Sequence, residues 1–270
     1  MRRATLTVWV WWAIVCAALP AAAQSPPAAA PTQTADADQS GVSFIPRYAF
    51  HLNGEHISSD DPRFIWDANY GGELDVVDYG AGRFTFFANY QVITGNEFRA
   101  FDPTQGNYIL GGRLSYRFRG VELAGVFYHQ SRHLSDRPKR QAVDWNMVGG
   151  RVTRPFSLGA VALEPRVDIR GVVEHSFVDY QWEVDGGVHA RYPFARHIAL
   201  VGDADLRLVG VDGSQDRGTQ TGVRGEGGVR FQGKAGAIEL FVAGERRIDP
   251  YPLEFGTMTW FSAGFKLLSP

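Results

Sequence analysis

The chain has 270 residues, with 27 basic and 29 acidic side chains and a formal net charge of -2 at pH 7. Binding to a nucleic-acid backbone needs a basic surface, so this balance and the lack of a nucleic-acid-binding motif in the sequence exclude a nucleic-acid partner. Glycine (31 residues) and aromatic residues (13%) are abundant for an average soluble domain. Both fall in segments of alternating polarity, which indicates β-strands.

The N-terminus has the pattern of an export signal. Arg2 and Arg3 precede an apolar run over residues 4–19, and Ala21–Ala23 supply small residues before Gln24. Because the run is shorter than the ~20 residues that span a bilayer, the pattern favours a signal peptide over an anchor helix. We expect cleavage after residue 23. The only cysteine, Cys16, would be removed with the signal, which excludes disulfides, zinc-thiolate sites and a catalytic cysteine from the mature chain.

Residues 24–42 are rich in Pro and Ala and contain no aromatic residue. Such a segment cannot bury enough apolar surface to offset the entropy of ordering. We therefore expect it to be a disordered periplasmic segment before a folded domain at residues 43–270.

The predicted strands follow in chain order, each with a polarity period of two. In the strand around residue 169, for example, Leu163, Val167 and Ile169 alternate with Glu164, Arg166 and Asp168. The segments lie at residues 44–52, 66–76, 83–92, 108–118, 121–131, 143–152, 161–174, 180–192, 198–209, 219–231, 237–245 and 255–268. About twelve strands, an even number, predict an all-β fold: a closed antiparallel transmembrane β-barrel.

Strand length and connection length favour a membrane barrel over a soluble one, which would direct its charges outward. The better segments reach about ten residues, the span of a tilted transmembrane strand. Short connections at residues 78–82, 119–120, 193–196 and 232–236 alternate with longer ones at residues 53–63, 94–107, 132–141 and 211–218. This alternation is typical of periplasmic turns and outer loops.

In this interpretation the apolar positions of each strand face lipid. Aromatic residues near strand ends are then expected to form interfacial girdles. They are Tyr70, Tyr90, Tyr116, Trp145, Tyr180, Trp182, Tyr192 and Trp260.

The opposite positions place charges of both signs inside the barrel. The network predicted in the lumen includes Arg113, Arg117, Glu164, Arg166, Asp168, Arg170, Asp203, Asp205, Arg224 and Glu226. Isolated charges there would be costly, so they must be paired or hydrated. Twelve strands enclose more space than a filled eight-stranded barrel and less than a porin. A salt-bridged plug and a narrow polar channel are equally compatible with the sequence.

One string is distinctive: Tyr128-His129-Gln130-Ser131-Arg132-His133-Leu134-Ser135-Asp136. With Asn107 to Gly111 and Ser115 to Arg117 before it, the string resembles a family of bacterial outer-membrane barrels whose domain has no established function. The resemblance is clearest over residues 57–150 and implies an outer-membrane barrel. The family usually has Gly and Glu where this chain has Ser135 and Arg137.

His129 and Ser131 stand two residues apart and therefore share one strand face, that of Val121, Leu123 and Phe127. The pair resembles the His-x-Ser of outer-membrane lipid A deacylases, which place a carboxylate on the next strand. A hydrolase needs a base beside a hydroxyl and an acid to orient the base.

Asp144 or Asp136 could be that acid, but we expect Asp144 to face the lumen. The other interpretation is a hydrogen-bonded strand end and loop, for which we expect no release of fatty acid.

Neither a cofactor motif nor a metal-binding motif stands out. His56, Ser58, Ser59, Asp60 and Asp61 are more typical of a solvated turn than of a calcium site. We expect a structural or narrow passive channel protein, with a lipid-modifying hydrolase using His129 and Ser131 as the alternative. The expected partners of the protein are outer-membrane lipid, lipopolysaccharide and the barrel-assembly machinery. The oligomeric state stays open.

Overall fold

A computed structural model describes residues 41–138 and 141–269. The predicted signal peptide and almost all of the predicted tether lie outside the described residues. In the part of the chain that is described, no helix is long and apolar enough to cross a membrane.

The described residues form thirteen strands. Their bounds are β1 Ser43–Ile57, β2 Trp66–Asp78, β3 Arg83–Gly95, β4 Asp102–Phe118, β5 Val121–Leu134, β6 Asp144–Thr153, β7 Phe156–Leu158, β8 Val161–Ser176, β9 Tyr180–Ala195, β10 Ile198–Val211, β11 Gln220–Gln232, β12 Ala237–Ile248 and β13 Thr257–Leu268. Most exceed ten residues, as a tilted strand needs to cross a membrane.

The strands form one closed antiparallel barrel. Each long strand pairs with its neighbours in sequence, and β1 pairs with β13. The three-residue β7 pairs with β8, as β6 does, so β7 extends β6 past a break at residues 154–155. Counting β6 and β7 as one leaves a wall of twelve strands. The predicted fold class and strand number are confirmed.

Short and long connections lie at opposite ends of the barrel. At the short-turn end, two to four residues join the strands, as at residues 119–120 and 233–236. At the long-loop end, connections reach nine residues, at 135–143, though residues 177–179 are a turn of three. Several strands continue into segments that the sequence assigns to loops. Arg132, for example, still pairs with Asn107, and Pro103 with Thr94.

Over most of the wall the apolar side chains point outward, as predicted. Ile169 is 61% exposed to the surroundings of the barrel, whereas its neighbours Asp168 and Arg170 are buried inside it. In water such an apolar surface would be costly, but it is what a barrel presents to lipid.

The aromatic girdle is only partly as predicted. Tyr70, Tyr116, Trp182 and Tyr192 are exposed on the outer face, and the ring of Tyr90 lies against that of Tyr70. The prediction is wrong for three other residues, which are buried in the lumen instead of lying in the girdle: Trp145, Tyr180 and Trp260.

The physical reason is a reversal of polarity at the long-loop end. There the inner side of the wall is apolar, and Trp145 packs with Val143, Met147 and Val209. A register shift between Gly210 and Val211 turns Tyr180 into the same cluster. A second apolar group holds Trp260. Together the two clusters cap the lumen at this end.

Candidate functional site

The lumen is filled with ion pairs. Nine of the ten charges that the sequence assigns to its network have an opposite charge within 4 Å. These pairs include Arg113–Glu73 at 2.7 Å, Arg117–Asp78 at 2.8 Å, Arg151–Asp168 at 2.8 Å, Arg166–Asp205 at 2.5 Å, Arg170–Glu183 at 3.3 Å, His189–Asp203 at 2.8 Å, Arg224–Glu55 at 2.8 Å and Lys266–Glu226. Glu164 is exposed near the short-turn end.

The connection between β12 and β13 folds inward over the lumen. Its first residue, Asp249, accepts hydrogen bonds from Arg217 and from the hydroxyl of Tyr180 at 2.7 Å each. Arg132 donates to the carbonyl oxygens of Asp249 at 2.6 Å and Pro250 at 2.8 Å. Burial lowers the pKa of the Arg217 guanidinium, but Asp179 and Asp249 outweigh it and hold that pKa above its ordinary value. This folded-in segment therefore lies across part of the long-loop end.

Between these layers a polar cavity of about 430 Å³ remains, lined by both basic and acidic side chains. Its volume is far smaller than that of a porin channel.

The outer face changes from apolar to polar side chains between two neighbouring rows of residues that are paired across three strands. Phe127 on β5, Val148 on β6 and Gly171 on β8 are directly paired. The next outward row toward the long loops is His129, Asn146 and Glu174, again paired across the three strands. The lipid-facing surface therefore turns polar where the strands near the long loops, as expected at a membrane–water boundary.

Within that row the side chains are linked by hydrogen bonds. His129 Nδ1 lies 2.8 Å from Asn146 Oδ1, and Asn146 Nδ2 donates to Glu174 Oε2 at 3.2 Å. The carboxylate accepts hydrogen bonds only, so the amide must turn its NH₂ group to Glu174 and its oxygen to His129. His129 Nδ1 is then the hydrogen-bond donor, so that in the neutral ring Nε2 is the acceptor.

A β-bulge makes this arrangement possible. On β8, Glu174 pairs with Asn146 but Val172 pairs with Met147, so Val173 is an extra residue. Strict alternation would send Glu174 to the lumen, opposite Val173. The bulge re-aims it to the outer face, a use of bulges that is frequent beside functional sites.

Ser131 follows His129 on the outer face of β5, as the sequence predicts. It pairs with Tyr108 on β4 and with Asp144 on β6. The Nε2 atom of His133 lies 3.4 Å from the Ser131 hydroxyl oxygen, at the long limit for a hydrogen bond. The Tyr108 ring meets the His133 ring edge to face at 5.4 Å between centroids.

The expected position of Asp144 is wrong. Asp144 stands opposite Ser131 on the outer face, because Trp145 and Met147 occupy the inner positions of β6. The sequence misleads here because the inside of the wall is apolar at this height.

Asp136, the other acid considered, lies in the loop and pairs with Arg99 at 2.7 Å. Arg137 is held in the same loop by Asp102 at 2.7 Å. Neither side chain reaches the row of His129.

Asn146 is the functional candidate that sequence reasoning missed. The sequence does contain the relevant pattern, because Asn146 lies two residues from the outward-facing Val148 and therefore shares its face of β6.

The polar loop after β1 is a structured turn. Arg63 Nη2 donates to Asp61 Oδ2 at 2.8 Å, which lowers the pKa of the Asp61 carboxyl below its ordinary value. His56 packs its ring edge on Trp66. Within the described residues no three His, Cys, Asp or Glu side chains are placed to hold a metal ion.

No family model and no curated protein sequence matches the chain. The fold is similar to solved outer-membrane barrels. An outer membrane phospholipase from Salmonella typhi, a dimer with bound calcium, gives a TM-score of 0.52 at 11% identity, covering 84% of this chain and 91% of that one.

Two further barrels are comparable. Outer membrane phospholipase A from Escherichia coli, in an active-site mutant with an asparagine changed to alanine, gives a TM-score of 0.52 at 12% identity, covering 87% of this chain and 94% of that one. An outer membrane channel from Pseudomonas putida F1 gives 0.50 at 12% identity, covering 82% and 94%. The likeness is one of fold, that of an outer-membrane β-barrel.

Proposed function

We propose that the protein is an esterase that cleaves acyl esters of lipids in the outer leaflet, with Ser131 as nucleophile and His129 as base. The observation that carries the proposal is the hydrogen bond from His129 to Asn146, on the lipid-facing side of the barrel beside Ser131. A serine, a base and a group that orients the base are the minimum for acyl transfer by covalent catalysis.

His129 is preferred to His133 as the base because its ring is oriented. Asn146 fixes the tautomer, and the Nε2 lone pair is left for the Ser131 proton. His133 is exposed, lies at the long limit of a hydrogen bond from Ser131 and packs against the Tyr108 ring. His129 and Ser131 share one face of β5, and hydrogen bonds of resting catalytic groups often tighten when substrate binds.

The position of the site selects its substrate class. Immediately below lie Phe127 and Val148, exposed to lipid, and above lie the loops. A lipid ester sits at this same boundary between hydrocarbon and water. Soluble esters would have no reason to concentrate there.

The chemistry follows from the residues. Ser131 Oγ attacks the ester carbonyl carbon while its proton passes to His129 Nε2, and Asn146 holds the ring of the imidazolium. The intermediate expels the lipid alcohol, which takes the proton from His129, and leaves an acyl-serine. Water, deprotonated by His129, then attacks the acyl-serine, releases the fatty acid and restores Ser131.

One neighbour supports this assignment by its printed description. In the Escherichia coli phospholipase A an asparagine belongs to the active site. Here Asn146 holds the base, on a barrel of the same fold. We therefore prefer phospholipids as first test substrates, with lipopolysaccharide as the second.

The lumen favours a second role that is compatible with the first. Its paired charges and folded-in segment support a closed structural barrel, or at most a narrow channel. We further propose export by a cleaved signal at residues 1–23 and insertion by the barrel-assembly machinery.

The test is fatty-acid release by purified protein in mixed micelles of phospholipid and detergent. Wild type should release fatty acid and become labelled by a fluorophosphonate. Ser131→Ala should abolish both, and Asn146→Ala should lower the rate about a hundredfold.

Ser157→Ala is the matched control. It changes an exposed serine of β7 near the short-turn end and should behave as wild type. The proposal fails if wild type releases no fatty acid from either lipid, or if release survives in Ser131→Ala.

A further inference from the structure

A second feature of the outer face lies deeper in the lipid-facing surface. A groove of about 570 Å³ crosses β4, β5, β6 and β8. Gly125 and Gly150, directly paired, form its floor. Leu114, Leu123, Val152 and Ile169 line it, and Tyr79 and Tyr116 lie at its end toward the short turns.

The two floor glycines are not required by packing. A Cβ atom at Gly125 would meet nothing within 4 Å, and one at Gly150 would meet only the Ala124 oxygen at 3.6 Å. At Gly149, by contrast, a Cβ would lie 2.0 Å from the Ile169 oxygen, so glycine is obligatory there. Gly125 and Gly150 keep open a space that side chains could fill.

The groove lies at the right depth below Ser131. Gly125 is six residues from Ser131 along β5, which is roughly 20 Å at 3.3 Å per residue. A strand tilt of about 40° reduces this to a depth of roughly 15 Å. One leaflet of the hydrocarbon core is also about 15 Å thick. A lipid with its ester at Ser131 therefore has the end of its acyl chain at the level of Gly125.

We propose that this groove binds the distal part of the acyl chain being cleaved and makes the enzyme prefer long chains. The inference rests on the proposed esterase function. The occupant is a saturated hydrocarbon chain, because the outward-facing neighbours of Gly125 and Gly150 on β5 and β6 are the apolar Leu123, Phe127, Val148 and Val152. Contacts with these walls hold the chain along β5 and so fix the ester at Ser131.

The test compares a palmitoyl and a butyryl ester of the same alcohol. In Gly125→Leu the leucine fills the groove, and the palmitoyl rate should fall about threefold because the chain loses van der Waals contacts with the groove walls, while the butyryl rate stays at the wild-type value. Gly150→Leu fills the groove from the neighbouring strand and should give the same selective loss.

Gly225→Leu is the matched control. Gly225 is an exposed glycine on β11, three strands beyond β8 at the edge of the groove, where a Cβ also meets nothing within 4 Å. It should hydrolyse both esters as wild type does.

An unchanged palmitoyl rate in both groove variants would overturn the groove assignment alone, as would an equal loss on both esters. If wild type cleaves neither ester, the esterase proposal itself is overturned and the chain subsite falls with it.

Discussion

Replacing one lipid-facing leucine by arginine tests the orientation of the whole wall. Leu206 lies near the middle of β10, on the outer face, and is 42% exposed. An arginine there must hold its charge near the bilayer midplane, at a cost of about 2 to 4 kcal/mol. This corresponds to a shift of roughly 30- to 700-fold in the folding equilibrium.

Leu158→Arg provides the comparison. Leu158 is also outside, 63% exposed, but lies at the short-turn end, where the arginine reaches water and the expected cost is about 0 to 1 kcal/mol. Both costs are measured by reversible unfolding in phospholipid vesicles. Equal costs at the two positions, or a cost for Leu206→Arg below that for Leu158→Arg, would refute the assignment of depth and face.

Four further outcomes are expected. In planar bilayers the wild-type protein should show no porin-sized conductance steps; large steps would contradict the closed lumen. Asp249→Ala leaves Arg217 with Asp179 as its one remaining carboxylate and removes the acceptor of the buried Tyr180 hydroxyl, so it should lower the unfolding free energy by about 1 to 3 kcal/mol; a loss below about 0.5 kcal/mol would deny this residue its anchoring role. Glu174→Ala should lower kcat about tenfold at constant KM, with Glu174→Gln closer to wild type; equal effects of the two would argue against orientation of the amide. Because the pKa of Asp61 is lowered in the fold, its contribution is complete above its unfolded pKa and is lost as pH falls through the folded value; the stability difference between wild type and Asp61→Asn should therefore vanish in acid, and a difference that persists there would exclude this ion pair as its source.

The sequence is sufficient for the fold because period-two polarity is a property of the chain alone. Val121, Leu123 and Phe127 face lipid as predicted, since each lies in the part of the wall where inside is polar and outside apolar. Ion pairs such as Arg166–Asp205 join strands far apart in sequence, so their partners could not be named in advance.

The sequence predicts only part of the candidate site. His129 and Ser131 were found from spacing on one strand. Asp144 was placed on the wrong face because the polarity rule reverses where Trp145 is buried. Glu174 faces outward only because of the β-bulge. A bulge depends on the register between two strands, which the sequence of one strand does not contain.

On the outer face of β5 the side chains turn from apolar at Phe127 to polar at His129 well before the strand ends, and this has a consequence for the surrounding bilayer. On β5 the outermost exposed apolar side chain, Phe127, stands seven residues before the strand ends at Leu134, whereas on β13 Phe261 stands only four residues from the strand end at Thr257. The apolar stretch of β5 therefore ends farther from the long-loop end of its strand than that of β13 does. A bilayer adapts to a short wall by thinning. Lipid headgroups should dip beside β5 and β6, and this local deformation would lower their ester bonds toward the barrel surface without any movement of the protein.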